Sequence, residues 1–319
     1  MIDPVCCVSA SLTFVEDIQS DPDPSNLAKS VKNGDTPALF DWMMDSFSYQ
    51  GISNAVAASY MDTHGRVTWQ QIECLLGQTP PCPKLQSYWT YENCRYDKTS
   101  GCCSEPEHRD TCCVATHRLR NGRLNQTAYS LYFFVRDVAR RNLPKWIDNQ
   151  LSSIPSTDPD RSRLQPEALV GPMRQIFGVS DKVLTMTLSE VLMAAPKLRP
   201  HWFEVGTQLI AVDTLVHNFM HRTGILQNFG AAHAYGAGCY QPGGCADILR
   251  QASSRIDARR FNATYPANFP RLIQHALWQY CAADRQNICN GNNIDDSRSC
   301  EQIYCVIHGI CSKIPLRSK

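Results

Sequence analysis

The chain has 319 residues, of which 43% are hydrophobic and 19% charged, with a formal net charge of +1. That length can hold one large domain or two ordinary ones around a sizeable core, and the composition is globular and excludes a disordered chain. A charge near zero supplies no global basic field, so nucleic acid would have to be met by a local patch; no apolar run approaches the ~20 residues that span a bilayer.

Residues 1–36 read as a polar N-terminal arm, with a loop signal at Asp21-Pro22-Asp23-Pro24. Asp3, Glu16 and Asp17 sit around a broken apolar stretch with no basic start, unlike a secretory signal. This predicts an intracellular, cytoplasmic protein. Helical periodicity begins near Pro37, with Leu39, Phe40, Trp42, Met43 and Phe47 on one face. A second helix is predicted over 53–63, ending at His64-Gly65, and a third over 68–76 with Thr68 as its N-cap.

Periodicity then vanishes across a Cys/His-rich insertion, residues 74–123. The sixteen cysteines of the chain are clustered: seven between Cys74 and Cys113, two at Cys239 and Cys245, five between Cys281 and Cys311, with Cys6 and Cys7 apart. In a reducing compartment clustered cysteines more often bind metal than pair. A structural zinc held by a subset of Cys82, Cys94, Cys102, Cys103, His108, Cys112, Cys113 and His117 would staple a loop that has no core of its own. The spacing leaves the ligand choice open, and the alternative is a surface insertion with loose thiols.

Helix is predicted again over 124–147, preceded by a basic turn with Arg118, Arg120 and Arg123, the best local phosphate contact. Residues 152–163 read as a polar linker and 166–177 as a helix. Ile176-Phe177-Gly178-Val179-Ser180-Asp181-Lys182 is a tight turn into the next helix, a place where backbone N–H groups favour an anion. After a break at Pro196 and Pro200, Leu209-Ile210-Ala211-Val212 leads to Asp213-Thr214 and a helix running to Arg222. The bland alternative is a helix capped by Asp213 or Thr214 and a surface lysine at 182. His217 and His221, four apart on this helix, present a spacing that suits metal. A Gly-rich loop over 228–244, helices over 246–258 and 269–282, and a cysteine-rich C-terminal segment complete an all-α chain.

Gly-Val-Ser-Asp-Lys between two helices, then Ile-Ala-Val-Asp-Thr ahead of a third, resembles the helix-hairpin-helix DNA glycosylases, the superfamily of endonuclease III and adenine-mismatch glycosylase. The similarity extends to Ser48-Tyr49-Gln50 and covers roughly residues 37–312. It implies two helical subdomains, formed by 37–73 and 124–312, with the insertion at 74–123 and a tail at 313–319. It further implies a monomer acting on double-stranded DNA that carries a damaged or mismatched base, with the base flipped into a pocket between the helical halves. By position Lys182 matches the family's nucleophile and Asp213 its catalytic carboxylate. Gln50 would fill the gap in the duplex, and Gly178, Val179 and Ser180 would present amides to a phosphate. Cys281, Cys289, Cys300, Cys305 and Cys311 look like a displaced cluster loop, four of which can hold [4Fe–4S] or zinc.

The sequence departs from the family pattern at several places. Phe177 and Ser180 replace proline and a second glycine, and Asp181 puts a negative charge where phosphate would sit. Leu215 and Asn218 replace histidine and arginine, and only the last gap of the family's C-x6-C-x2-C-x5-C is kept. Two further functions are compatible with these residues: a non-catalytic nucleic-acid-binding module on the same scaffold, and a metal-dependent nuclease using His217 and His221.

Overall fold

The structure, a computed structural model, describes residues 1–20, 26–48, 54–78, 82–97, 99–116, 122–290 and 294–317. Among these there is no strand, and the chain is all-α. In order the helices are α1 (Ile2–Ser9), α2 (Phe14–Gln19), α3 (Leu27–Asn33), α4 (Thr36–Ser48), α5 (Asn54–His64), α6 (Trp69–Gln78), α7 (Tyr88–Tyr91), α8 (Cys113–Thr116), α9 (Gly122–Phe133), α10 (Leu143–Ser152), α11 (Arg161–Met173), α12 (Asp181–Met193), α13 (Pro200–Gly206), α14 (Thr214–Arg222), α15 (Ile225–Asn228), α16 (Cys245–Ser253) and α17 (Pro270–Cys281). Two compact units form: residues 19–200, and residues 1–18 together with 201–319.

In the unit 19–200, α4 is the central element, packed by α3, α6, α9, α10 and α12. Its Phe40 ring meets Trp69 at 5.4 Å, and Trp69 meets Tyr132 of α9 at 4.5 Å. The Asp41 carboxylate accepts the Trp69 backbone N–H at 2.6 Å, tying the start of α6 to α4. The cap predicted at Thr68 is a full capping box: Thr68 Oγ1 accepts from Gln71 N–H at 3.2 Å while Gln71 Oε1 accepts from Thr68 N–H at 3.1 Å.

The single helix predicted over 124–147 is two. α9 passes into a π turn over Phe134–Val138, and Arg140 and Arg141 then take φ of 51° and 59°. Asn142 starts α10 by accepting the Lys145 N–H, with Pro144 in the first turn. A side-chain cap and a proline without an N–H define a new helix start, so the apolar periodicity runs across a break that it does not reveal.

In the other unit, α17 is the spine and contacts α1, α14 and α16. Val5, Val216, Phe219, Leu249, Ile273 and Leu277 form its buried core. The expectation of a polar arm over 1–36 gives way here: α1 is packed on α17 with Val5 and Cys6 fully buried, and α2 and α3 follow it. The tail also returns to the fold, since Ile314 N–H donates to the Arg222 carbonyl at 2.9 Å.

Candidate functional site

The buried run Leu209–Val212 brings Asp213 to the start of α14. Asp213, not Thr214, is the cap: its Oδ1 accepts the Val216 N–H at 2.9 Å. One turn on, His217 points into the unit's interior, only 6% exposed. There it meets three residues from the loop that follows. Its Nδ1 lies 3.4 Å from Cys245 Sγ and 3.5 Å from Cys239 Sγ, and Cys245 Sγ lies 3.4 Å from His233 Nε2. All four donor atoms fall within 4.8 Å of one another, a group that could hold a metal ion.

The details of this group favour ligation. His233 Nδ1 lies 2.6 Å from the Ala231 carbonyl, which can only accept, so Nδ1 carries the proton and Nε2 presents a lone pair to the thiols. That is how metal-bound imidazoles are oriented by a carbonyl behind them. The Cys245 thiol donates to Cys239, which lowers the Cys239 pKa and raises that of Cys245. The pair thus gives up a first proton readily, and a divalent ion takes the place of the one they share. Gly244, the cap of α16, is required by space: a Cβ there would stand 2.2 Å from the Gly238 carbonyl oxygen.

Two imidazoles and two thiolates fill a tetrahedral shell, the arrangement of a closed structural centre. The loop it would hold walls the start of α14. The Tyr240 hydroxyl accepts the Val212 N–H at 3.0 Å and donates to the Val212 carbonyl at 3.1 Å. Tyr235 is close enough for Asp213 to add to the upward shift that burial gives its hydroxyl. The spacing of His217 and His221 does not make a ligand pair, because His221 lies outside the group with its Nδ1 3.5 Å from Gln227. His233, Cys239 and Cys245 were read from the sequence as loop; the signal available was a His and two Cys six positions apart, 233, 239 and 245.

Lys182 belongs to the other compact unit. There α11 ends at Met173, Gly178 takes φ 76° in the turn, and α12 starts at Asp181. The turn is held on α9: the Thr127 hydroxyl donates to the Phe177 carbonyl at 2.8 Å, and Ser130 Oγ accepts the Phe177 N–H at 3.0 Å. Ser180 is extended, φ −83°, so no left-handed conformation is asked of it, and its side chain caps α12 by accepting from Val183 N–H. Asp181 is paired with Arg174 at 2.8 Å. Val179 and Lys182 are half-buried and Ser180 exposed. Gln50, His117, Arg118 and Arg120 lie outside the described residues, as does the side chain of Arg123.

None of the sixteen cysteines is in a disulfide. In the insertion, Cys82, Cys112 and Cys113 are buried, Cys94 and Cys103 half-buried, and Cys102 exposed. His108 lies against Glu107, 3.9 Å away. Arg222, 2% exposed, is close enough to Cys281 and Cys289 to lower their pKa values, and the Cys311 thiol lies 3.7 Å from its carbonyl oxygen. One of its nitrogens donates to Asp296 at 2.7 Å and Nη1 has no hydrogen-bond partner. The Cys281 thiol donates to Cys289 and lowers its pKa, and Arg222 lowers it further. Gln302 N–H donates to Cys300 at 3.4 Å, Lys313 N–H to Cys311 at 3.3 Å, and the Tyr280 hydroxyl to Cys305 at 3.1 Å. The buried guanidinium, with Nη1 unpaired, favours negative charge on the sulfurs beside it, while the group of converging metal-donor atoms found among the described residues is that of His217.

Compared with protein-family models, curated proteins and solved structures, the chain matches none of them.

Proposed function

We propose that this all-helical chain is a DNA base-excision glycosylase with AP-lyase activity, acting as a monomer on duplex DNA in the cytoplasm. The observation that carries the reading is the turn between α11 and α12: a left-handed Gly178 joins two helices, and a half-buried Lys182 lies in the first turn of the second. Asp213, fixed as the cap of α14, is the second supporting residue.

In this reading Lys182, deprotonated, attacks C1′ of a flipped nucleotide; the C1′–N bond breaks and the base leaves with a proton. The aminal so formed opens to a Schiff base as the C1′–O4′ bond breaks and O4′ takes up a proton; C2′ then loses a proton to solvent, and β-elimination expels the 3′ phosphate. Asp213 stabilises positive charge developing on the sugar. Gly178, Val179 and Ser180 offer backbone N–H groups to a phosphate, Arg118, Arg120 and Arg123 add charge, and Gln50 enters the gap in the duplex. Zinc at His217, His233, Cys239 and Cys245 would be structural. Four of Cys281, Cys289, Cys300, Cys305 and Cys311 would hold [4Fe–4S] or zinc; when bound, that group fixes the C-terminal loop, and no step passes through it.

Borohydride added to the protein on duplexes with oxidised, deaminated or alkylated bases, or an abasic site, tests the reading. A covalent adduct that Lys182→Ala abolishes is the expected result. Base release that survives Lys182→Ala but not Asp213→Asn would make the enzyme monofunctional. A second reading, a nucleic-acid-binding module without turnover, is favoured by the Arg174–Asp181 pair and the Ser180 cap, which occupy the position a phosphate would take. Binding to these duplexes with no turnover on any of them would establish it.

A further inference from the structure

We propose that Tyr240 is a positioning residue: through its hydroxyl, metal bound at the His217 group fixes the backbone that leads into Asp213. The coupling needs metal at that group and does not depend on the glycosylase reading. Asp213 stands between two residues tied to the loop that joins α15 to α16. Before it comes Val212, whose N–H donates to the Tyr240 hydroxyl at 3.0 Å and whose carbonyl accepts from that hydroxyl at 3.1 Å. One helical turn after it comes His217, itself one of the four donors. Tyr240 directly follows the donor Cys239, and both belong to one 3₁₀ turn, Ala237–Tyr240.

Val212 has need of this hydroxyl. It is fully buried, and it lies between helices, since α13 ends at Gly206 and α14 starts at Thr214. Buried backbone groups outside a helix must find partners elsewhere in the fold. A hydroxyl can accept from an N–H and donate to a carbonyl at once, so a single tyrosine serves both polar groups of Val212. Phenylalanine in its place can do neither.

The loop, in turn, has little of its own to hold Tyr240 still. Nine of the sixteen residues from Phe229 to Gly244 are glycine or alanine, and the regular structure among them is that one 3₁₀ turn. Such a segment buries little apolar side chain and gives up much backbone entropy on ordering. An ion supplies the missing restraint: it joins His233 and Cys239 of the loop to His217 of α14 and Cys245 of α16, one residue from Tyr240.

The test is hydrogen exchange, read residue by residue on the full-length protein with zinc and after a chelator, with metal content measured on the same samples. In wild type, zinc is expected to slow exchange of the Val212 N–H by about tenfold or more, the scale of one buried hydrogen bond. Cys245→Ser leaves Tyr240 untouched and should exchange at Val212 like the chelated wild type. Tyr240→Phe keeps the ring and all four donors, so it should still bind zinc, and the α14 amides beyond His217 should still respond to it. Its Val212 N–H should exchange fast with and without zinc. Zinc bound to wild type with no effect at Val212 would overturn the coupling, as would full zinc protection of Val212 in Tyr240→Phe. A wild type that binds no zinc would remove the metal group and the coupling with it. Base release is a separate readout: under the glycosylase reading Tyr240→Phe lowers kcat more than it raises KM. No base release from any sample would fell that reading and leave the exchange result standing.

Discussion

His217 Nδ1 and Cys245 Sγ lie 3.4 Å apart although 28 positions separate them in the chain. Contacts of that kind cross-link a loop, and a metal ion would make the link worth far more than a thiol–imidazole hydrogen bond. Cys245→Ser is therefore predicted to lose one equivalent of zinc and to lower Tm by roughly 5–10 °C, a few kcal/mol for a unit of this size. Chelation of the wild type should move Tm the same way. Equal metal content and equal melting in variant and wild type would remove the centre from the account.

Gly244 provides a subtler probe, since it touches no ligand atom yet sets where Cys245 begins. A Cβ at 244 would meet the Gly238 carbonyl oxygen at 2.2 Å and Cys239 backbone atoms at 3.0 Å. Gly244→Ala must push the two strands of the loop apart and so separate Cys239 from Cys245. The prediction is zinc binding weakened by about tenfold or more, about 1.4 kcal/mol, with all four ligands present. Competition against a metallochromic chelator measures it; an unchanged affinity would mean the loop relaxes without moving its thiols.

Local signals in the sequence account for much of this fold and little of the metal group. Thr68, followed three positions later by Gln71, announces a capping box through chemistry confined to four residues. Phe40, Trp42, Met43 and Phe47 announce α4 through periodicity. What stayed hidden depends on distant contacts or on single residues overriding a pattern. α1 draws its stability from α17, nearly the whole chain away, α3 from α4 and α12, and the break at Arg140–Asn142 comes from one cap and one proline. His217 read as half of a helix-face pair with His221 because spacing along a helix is visible, whereas a partner 28 positions on is not. His233, Cys239 and Cys245 are brought together by glycine turns that no hydrophobic period encodes.

Asp213 has two roles to separate, cap and carboxylate. Asparagine retains an oxygen that can accept the Val216 N–H, so Asp213→Asn should cost only a few tenths of a kcal/mol, while Asp213→Ala should cost about 1 kcal/mol. If the proposed chemistry is right, both variants lose base release, since neither carries a charge. Chemical denaturation alongside the glycosylase assay reads the two effects on the same samples. Equal destabilisation by Asn and Ala would show that the cap contributes little, and base release surviving in Asp213→Asn would take the carboxylate out of the reaction.

His275 gives the unit containing α17 an acid-sensitive element unrelated to the metal group. Its ring is stacked at 5.5 Å on Trp278 and sits 4.5 Å from Phe14, and its Nδ1 has no hydrogen-bond partner. Burial, with Arg271 and Arg285 adding repulsion, lowers its pKa to about 3. Between about 3 and the ordinary histidine value near ~6.5, the unfolded chain takes up a proton that the folded chain refuses. Stability is therefore fully present above ~6.5 and falls as pH drops through that window, by at most about 1.4 kcal/mol per pH unit. His275→Phe keeps an aromatic ring between Phe14 and Trp278 and removes the titration. The stability of this variant relative to wild type should rise steadily from pH 7 to pH 5, as measured by urea denaturation. Metal ligands protonating in the same range affect both proteins alike, so parallel curves for the two would show that His275 does not set the acid limb.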